Sequence, residues 1–283
     1  VTLKGFPTRI LLVVVTFPVL GVLILVLPQL YHLGFNLVVL FATVVGALEM
    51  TALFKSRGIP TSEYLAPILA ATLPIGAWLE VSGLIPTGWL GVWVPAAMCV
   101  LLIRAVIFQD RTKLSAVLSM ASSSFFTFLY PGFFLSWIVR LSGLPDPSLC
   151  ILFFLCLVFG NDMSAYLSGS LWGSSTRLNL SVSPQKSVVG FIGGFVGSTI
   201  IVTLFVLLAP HFPPFSVGLA YVLGFATGAT VILGDLLESG LKRSAGVKDS
   251  GIVIPGRGGM LDSVDSMLFT APLFFYFVTL VSR

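Results

Sequence analysis

VVGFIGGFVGSTIIVTLFVLLA, from Val188 to Ala209, runs for 22 residues without a charged side chain. A helix needs about 20 apolar residues to cross the hydrocarbon core of a bilayer, and this run supplies them. Its residues do not alternate apolar with polar, as the strands of a membrane barrel would. Similar runs recur along the chain, at about 10–27, 33–54, 65–80, 88–108, 115–139, 148–168, 188–209, 215–237 and 266–281. The 283 residues are 57% hydrophobic and only 9% charged, against about 25% charged in a soluble domain. Mean hydropathy is +1.06. The expectation is an all-α, polytopic integral membrane protein of about nine transmembrane helices. The first run is too long for a signal-peptide core and lacks a small-residue cleavage site, so it reads as a retained span.

Within the Val188 run, Gly190 and Gly194, and likewise Gly193 and Gly197, are small residues four apart, a spacing that lets a neighbouring helix approach closely. Gly224 and Gly228 repeat it in the next run. Pro18, Pro67, Pro74 and Pro95 predict kinks, which neighbouring helices make tolerable.

Lys and Arg in the short loops set orientation. With the N-terminus inside, 13 of the 15 cations fall in inner segments, and only Arg140 and Arg283 fall outside. The N-terminus is therefore expected to be cytoplasmic. The net charge of +4 follows from this bias, helped by attraction to anionic inner-leaflet lipid. No basic face interleaved with stacking aromatics is present, which excludes a nucleic-acid partner. Cys99, Cys150 and Cys156 lie in or beside apolar runs without metal or disulfide spacing. His32 and His211 fall in expected outer loops, which leaves a histidine-based catalytic site little to work with.

After the Val188 run and one further span comes a polar island, GDLLESGLKRSAGVKDSGIVIPGRGGMLDSVDS, from Gly234 to Ser266. It holds 5 of the chain's 11 acids: Asp235, Glu238, Asp249, Asp262 and Asp265. It also carries Lys242, Arg243, Lys248, Arg257 and a Pro255–Gly259 turn that no regular helix tolerates. Asp235, Ser239 and Lys242 share one helix face, and so do Asp262 and Asp265 at i, i+3. Two explanations stand side by side. Asp262 could cap a helix and Asp265 complement its dipole. Alternatively, the acids build a Mg²⁺ site of hard oxygen ligands, beside cations that hold phosphates and glycines that let backbone approach an anion. No GxxxxGKS loop occurs, so any nucleotide site is not a P-loop. Two acids lie outside the island but within apolar runs. Asp162 interrupts the sixth run and is a functional candidate by default; Glu49, near the inner end of the second, either stays in the membrane or snorkels out.

From Ser239 to Ser266 the island resembles the C-terminal signature of the phosphatidate cytidylyltransferases, or CDP-diacylglycerol synthases. The upstream stretches NDMSAYLSG (Asn161–Gly169) and SPQK (Ser183–Lys186) resemble a second block of that family. Arg257 stands where the family usually has His, and Ser263 where it usually has Arg; Ser170 and Ser174 replace commonly basic residues, and Val189 a common Glu. The resemblance implies the reaction CTP + phosphatidic acid → CDP-diacylglycerol + pyrophosphate, with Mg²⁺ and room for a second cation. It implies metal ligands Asp235, Asp262 and Asp265, with Asp162 and Asp249 completing or supporting the site. Lys186, Ser239 and Lys242 join the catalytic set, and Arg243, Lys248, Arg257, Gly258 and Gly259 contact substrate. Its implied place is a bacterial inner membrane, with the site on the cytoplasmic side and a homodimer as a candidate assembly.

By this reading residues 1–147 are scaffold and lipid-facing wall, and residues 148–283 are the catalytic region with its site at 234–266. A CTP-dependent polyprenol kinase or another head-group transferase is the rival enzyme. The Asp-Gly-x-x-Ala-Arg opening of the CDP-alcohol phosphotransferases is absent. An ion-coupled transporter is the rival of another class, although no matching pair of broken spans occurs in two halves.

Overall fold

An apolar solvent cannot satisfy backbone amides, so a chain this hydrophobic must satisfy its own, and helices do so within each segment. The computed structural model describes residues 15–107, 115–209, 211–212, 215–254, 256 and 258–282. These residues form nine helices: α1 (Val15–Val26), α2 (Gln29–Ser56), α3 (Leu65–Val81), α4 (Leu90–Ile107), α5 (Val117–Gly143), α6 (Pro147–Trp172), α7 (Val188–Leu208), α8 (Val217–Ser244) and α9 (Leu261–Val281). Seven are long and apolar enough to cross a membrane, and α1 and α3 are shorter apolar helices. No strand forms among the described residues. The protein is an all-α polytopic membrane protein.

Three boundaries differ from the hydropathy pattern. Helix α9 begins at Leu261, five residues before its apolar run, because the Glu49 carboxylate satisfies the amides of Met260 and Leu261 at its start. Helix α6 runs through Asn161-Asp162 to Trp172, so the polar pair interrupts the hydrophobicity but not the helix. Helix α2 opens with Leu30, Tyr31 and His32 in left-handed backbone, and His32 is buried there rather than lying in an open loop.

The chain divides into two compact units, residues 1–143 with 245–264, and residues 144–244 with 265–283. In the first, small side chains let helices pack closely: Ala47, Ala66, Ala70 and Ala97 surround Leu69, Leu73, Leu101 and Phe128. Helix α5 widens into a π turn over Phe128–Phe133, around Pro131, which has no amide to donate. The next residue, Gly132, lies against α3, and a Cβ there would sit 2.8 Å from Ala70 Cα. Arg140, counted above as an outer cation, is committed to a buried ion pair with Glu80 at 2.5 Å. Its guanidinium also lies 4.9 Å from the Trp137 ring centroid.

In the second unit, Phe153 packs on Phe205, Phe212 and Phe274. Helices α6 and α7 meet along the glycines of the Val188 run. A Cβ on Gly193 would come within 3.0 Å of Ser164 O, and one on Gly197 within 3.0 Å of Gly160 O. Buried Asn161 uses the same seam, donating to Ser198 Oγ at 3.0 Å.

The Gly132 contact meets backbone, which cannot step aside. Gly132→Val should therefore destabilise the protein by about 1–3 kcal/mol, the usual cost of overpacking. Thermal unfolding of the detergent-purified chain checks this, and an unchanged midpoint would mean that α3 and α5 are not in close contact.

Candidate active site

In the second unit the site starts from a missing side chain. A Cβ on Gly234 would lie 2.6 Å from Asp265 O, so glycine is what lets α8 reach α9 here. The approach brings Asp235 of α8 and buried Asp265 of α9 within electrostatic range of each other, with Asp162 of α6 nearby. Ser266 sits between two of these acids. Its hydroxyl reaches Asp162 Oδ2 at 3.1 Å and Asp265 Oδ1 at 3.2 Å. A hydroxyl has one proton to donate, so only one carboxylate at a time receives it.

Cations enter from two helices. Lys186 lies directly before Ser187, whose Oγ caps α7 by accepting from Gly190 N at 3.0 Å. Fixed at that helix start, Lys186 forms an ion pair with Asp235. Ser239, one turn along α8, donates to the other oxygen of Asp235 at 3.4 Å. Lys242 pairs with buried Glu238 at i, i+4. Four carboxylates thus face two ammonium groups.

Among the described residues, no three carboxylate, imidazole or thiol side chains form a ready-made metal cage. The donor chemistry still fits a hard divalent cation. The oxygens are carboxylate and hydroxyl, the acids outnumber the bases, and the Lys186 ammonium already occupies a cation's place against Asp235.

The first unit carries the other half of the predicted residues. Asp262, in the first turn of α9, accepts through Oδ2 from Gly259 N at 2.7 Å, Ser250 N at 2.8 Å and Ser250 Oγ at 2.9 Å. Asp262 thus ties the turn at Ser250 and Gly259 to the start of α9. Glu49, on α2, accepts from Met260 N and Leu261 N, both at 2.8 Å, and from Ser250 Oγ at 3.0 Å. The intervening turn closes on itself through paired Ile254–Gly258 backbone bonds of 2.8 and 3.0 Å. Gly258 has φ +116°, and a Cβ there would strike Asp262 Oδ2 at 2.7 Å and meet Asp249 Cβ at 3.1 Å. Asp249 and Lys248 are exposed in this segment, and Arg243 is exposed at the end of α8. Arg257 and Pro255 lie outside the described residues, as do Lys4, Arg9, Arg111, Lys113 and Arg283.

The predicted residues thus fall into two constellations. One holds Asp162, Lys186, Asp235, Ser239, Lys242 and Asp265, and the other Asp249, Gly258, Gly259 and Asp262. Ser250 and Ser266 were not singled out from the sequence. Serine is common, and only its position between two acids marks either one.

A family model described as the cytidylyltransferase family matches residues 7–281. The chain belongs to the cytidylyltransferase family. It is 45% identical over 131 residues to the phosphatidate cytidylyltransferase of Synechocystis, covering 46% of this chain and 43% of that protein. With the phosphatidate cytidylyltransferase of Bacillus subtilis it shares 36% identity over 157 residues, 54% of this chain and 56% of the relative. A third relative, the uncharacterized Escherichia coli protein YnbB, is 36% identical over 169 residues, 58% of this chain and 55% of its own length. The chain spans about half the length of the curated relatives it matches.

The Lys186–Asp235 pair is mostly shielded from water, with 27% exposure on each side chain. A double-mutant cycle of Lys186→Met and Asp235→Asn should give a coupling of about 0.5–3 kcal/mol, the range for directly interacting groups. Unfolding in detergent measures it, and additive effects would mean that the two side chains do not interact in solution.

Proposed function

We propose that the protein is a phosphatidate cytidylyltransferase of phospholipid biosynthesis, joining CTP to phosphatidic acid and releasing pyrophosphate. The observation that carries this reading is the cluster of carboxylates on membrane helices, Asp162, Asp235 and Asp265, with Lys186 paired to Asp235, in a chain of the cytidylyltransferase family. Relatives in Synechocystis and Bacillus subtilis bear that enzyme's name.

The chemistry suits the residues. A lipid phosphate is already an anionic nucleophile, so the reaction needs no strong general base, and a site without histidine suffices. What it needs is screening between two anions and stabilisation of the departing pyrophosphate. Asp235, Asp262 and Asp265 are the proposed ligands of Mg²⁺, with Asp162 and Asp249 in support. When bound, the metal would draw charge off the phosphates as a Lewis acid. Lys186 and Lys242, paired with acids in this structure, are the proposed phosphate clamps, together with Arg243, Lys248 and Arg257. Ser239 steadies Asp235, and Gly258 and Gly259 let backbone approach the nucleotide.

Placement follows the cation bias, with nine spans, a cytoplasmic N-terminus and the site at the inner face of a bacterial inner membrane. There CTP arrives from the cytosol and phosphatidic acid from the leaflet. Cysteine labelling at the exposed positions 252 and 211 should reach the first from the cytoplasm and the second from outside; reaction of both from one face would overturn this topology.

Incubation of the purified protein with labelled CTP, Mg²⁺ and phosphatidic acid should yield labelled lipid. A phosphorylated lipid alcohol without CMP transfer would instead indicate a kinase, and no turnover would favour transport. Asp235→Asn, Asp262→Asn and Asp265→Asn should each cut turnover beyond the roughly 10–100-fold typical of groups one shell out from a metal. Combining two should add little, because residues acting as one unit are non-additive. Near-normal turnover in Asp262→Asn would remove it from the ligand set.

A further inference from the structure

Glu49 lies on α2, far before the signature that begins at Ser239, and the reaction proposed above assigns it nothing. It is nevertheless 6% exposed, and no Lys or Arg of the described residues forms an ion pair with it. A buried carboxylate without a cation persists only where strong donors surround it. Here they are the amides of Met260 and Leu261, at 2.8 Å each, and the Ser250 hydroxyl at 3.0 Å. Both amides belong to the start of α9, where backbone donors have no partner in their own helix. The partial positive charge of that helix end favours a carboxylate further.

The turn is shaped around this carboxylate. A Cβ on Gly251 would come within 2.8 Å of Glu49 Cδ, and one on Gly259 within 2.6 Å of Glu49 Oε2. Glycine at both positions leaves room for the side chain of α2 to enter. Ser250 then links Glu49 to Asp262, because its hydroxyl lies 3.0 Å from Glu49 Oε2 and 2.9 Å from Asp262 Oδ2. One proton serves two acceptors. The orientation of that hydroxyl, and with it the hydrogen bonding of Asp262, depends on Glu49.

We propose that Glu49 is a positioning residue for the reaction: its carboxylate holds Ser250 and the first amides of α9, and so fixes Asp262 as a metal ligand. This rests on the cytidylyltransferase reading for its consequence but not for its geometry. Glutamine at position 49 keeps the size but has a single acceptor oxygen. Its NH₂ group must face either the Met260 or the Leu261 amide, donor against donor.

The test uses the full chain in detergent or nanodiscs. Hydrogen exchange without metal should show the Met260 and Leu261 amides exchanging at least about tenfold faster in Glu49→Gln, on the scale of one lost positioning contact, with α6–α8 unchanged. The Mg²⁺ concentration for half-maximal activity should rise about 10–100-fold, as for other groups that orient a metal ligand, while KM for phosphatidic acid stays the same. Unchanged exchange would overturn the proposal. Faster exchange with a wild-type Mg²⁺ requirement would overturn it too, leaving Glu49 as a helix cap only. If Glu49→Gln does not fold, Ser250→Ala decides, since it keeps both amide bonds and removes only the link to Asp262. A Mg²⁺ requirement raised about tenfold upholds the proposal, and a wild-type one overturns it. Should the wild-type protein make no CDP-diacylglycerol, the functional reading fails, and exchange together with Mg²⁺ binding by calorimetry still decides the role of Glu49.

Discussion

Two amides at the start of α9 cannot be satisfied within their own helix, and a carboxylate from α2 takes both. Much of the first unit's polar architecture depends on that contact. Leaving a buried donor or acceptor unmet costs about 1–3 kcal/mol, more for a charge, so neither the amides nor Glu49 can be buried without the other. Holding them together brings in Ser250, then Asp262, and requires glycine at 251 and 259 where a side chain would collide. The polar segment is therefore folded against the helices of its unit by its own hydrogen bonds, although little of it is apolar.

The second unit obeys the same constraint with charges instead of amides. Asp235 has Lys186, Glu238 has Lys242, and Asp162 and Asp265 share the hydroxyl of Ser266. On the proposed reading, an ammonium paired to a carboxylate is a stored cation. It neutralises the acid while no phosphate is bound, and it can turn to a phosphate when a metal takes over the acid. Removing either partner of such a shielded pair leaves a charge uncompensated.

The helical, membrane-spanning character was readable because it needs only length and composition, as the Val188–Ala209 run shows. The close seam at Gly193 and Gly197 was readable too, since spacing alone predicts it. Hydropathy failed where polar residues sit inside helices. Asp162 looked like an interruption of its apolar run, and the last run was expected to begin only at 266, yet Asp162 and Asp262 both lie within helices, because each has a hydrogen-bonding partner that a local window does not contain. The pairing of Glu49 with Ser250 spans 201 residues. No periodicity or motif links positions so far apart, and an acid near the end of a span reads equally well as a snorkelling side chain.

Two departures from the resembled signature bear on charge. Ser263 stands where a basic residue is usual, and its hydroxyl turns back to Gly259 O at 3.3 Å. Ser170, another such position, returns its hydroxyl to Leu167 O at 2.9 Å. Both side chains are thus satisfied by nearby backbone carbonyls and bring no positive charge. The acids, by contrast, remain: Asp162, Asp235, Asp262 and Asp265 are all in place. Fewer fixed cations beside the same carboxylates increase the negative field that a ligand meets. A nucleoside triphosphate is itself strongly anionic, so it cannot enter that field without a compensating cation. The loss of basic residues therefore makes bound metal more necessary to the proposed reaction, and it shifts the burden of holding phosphate onto Lys186 and Lys242.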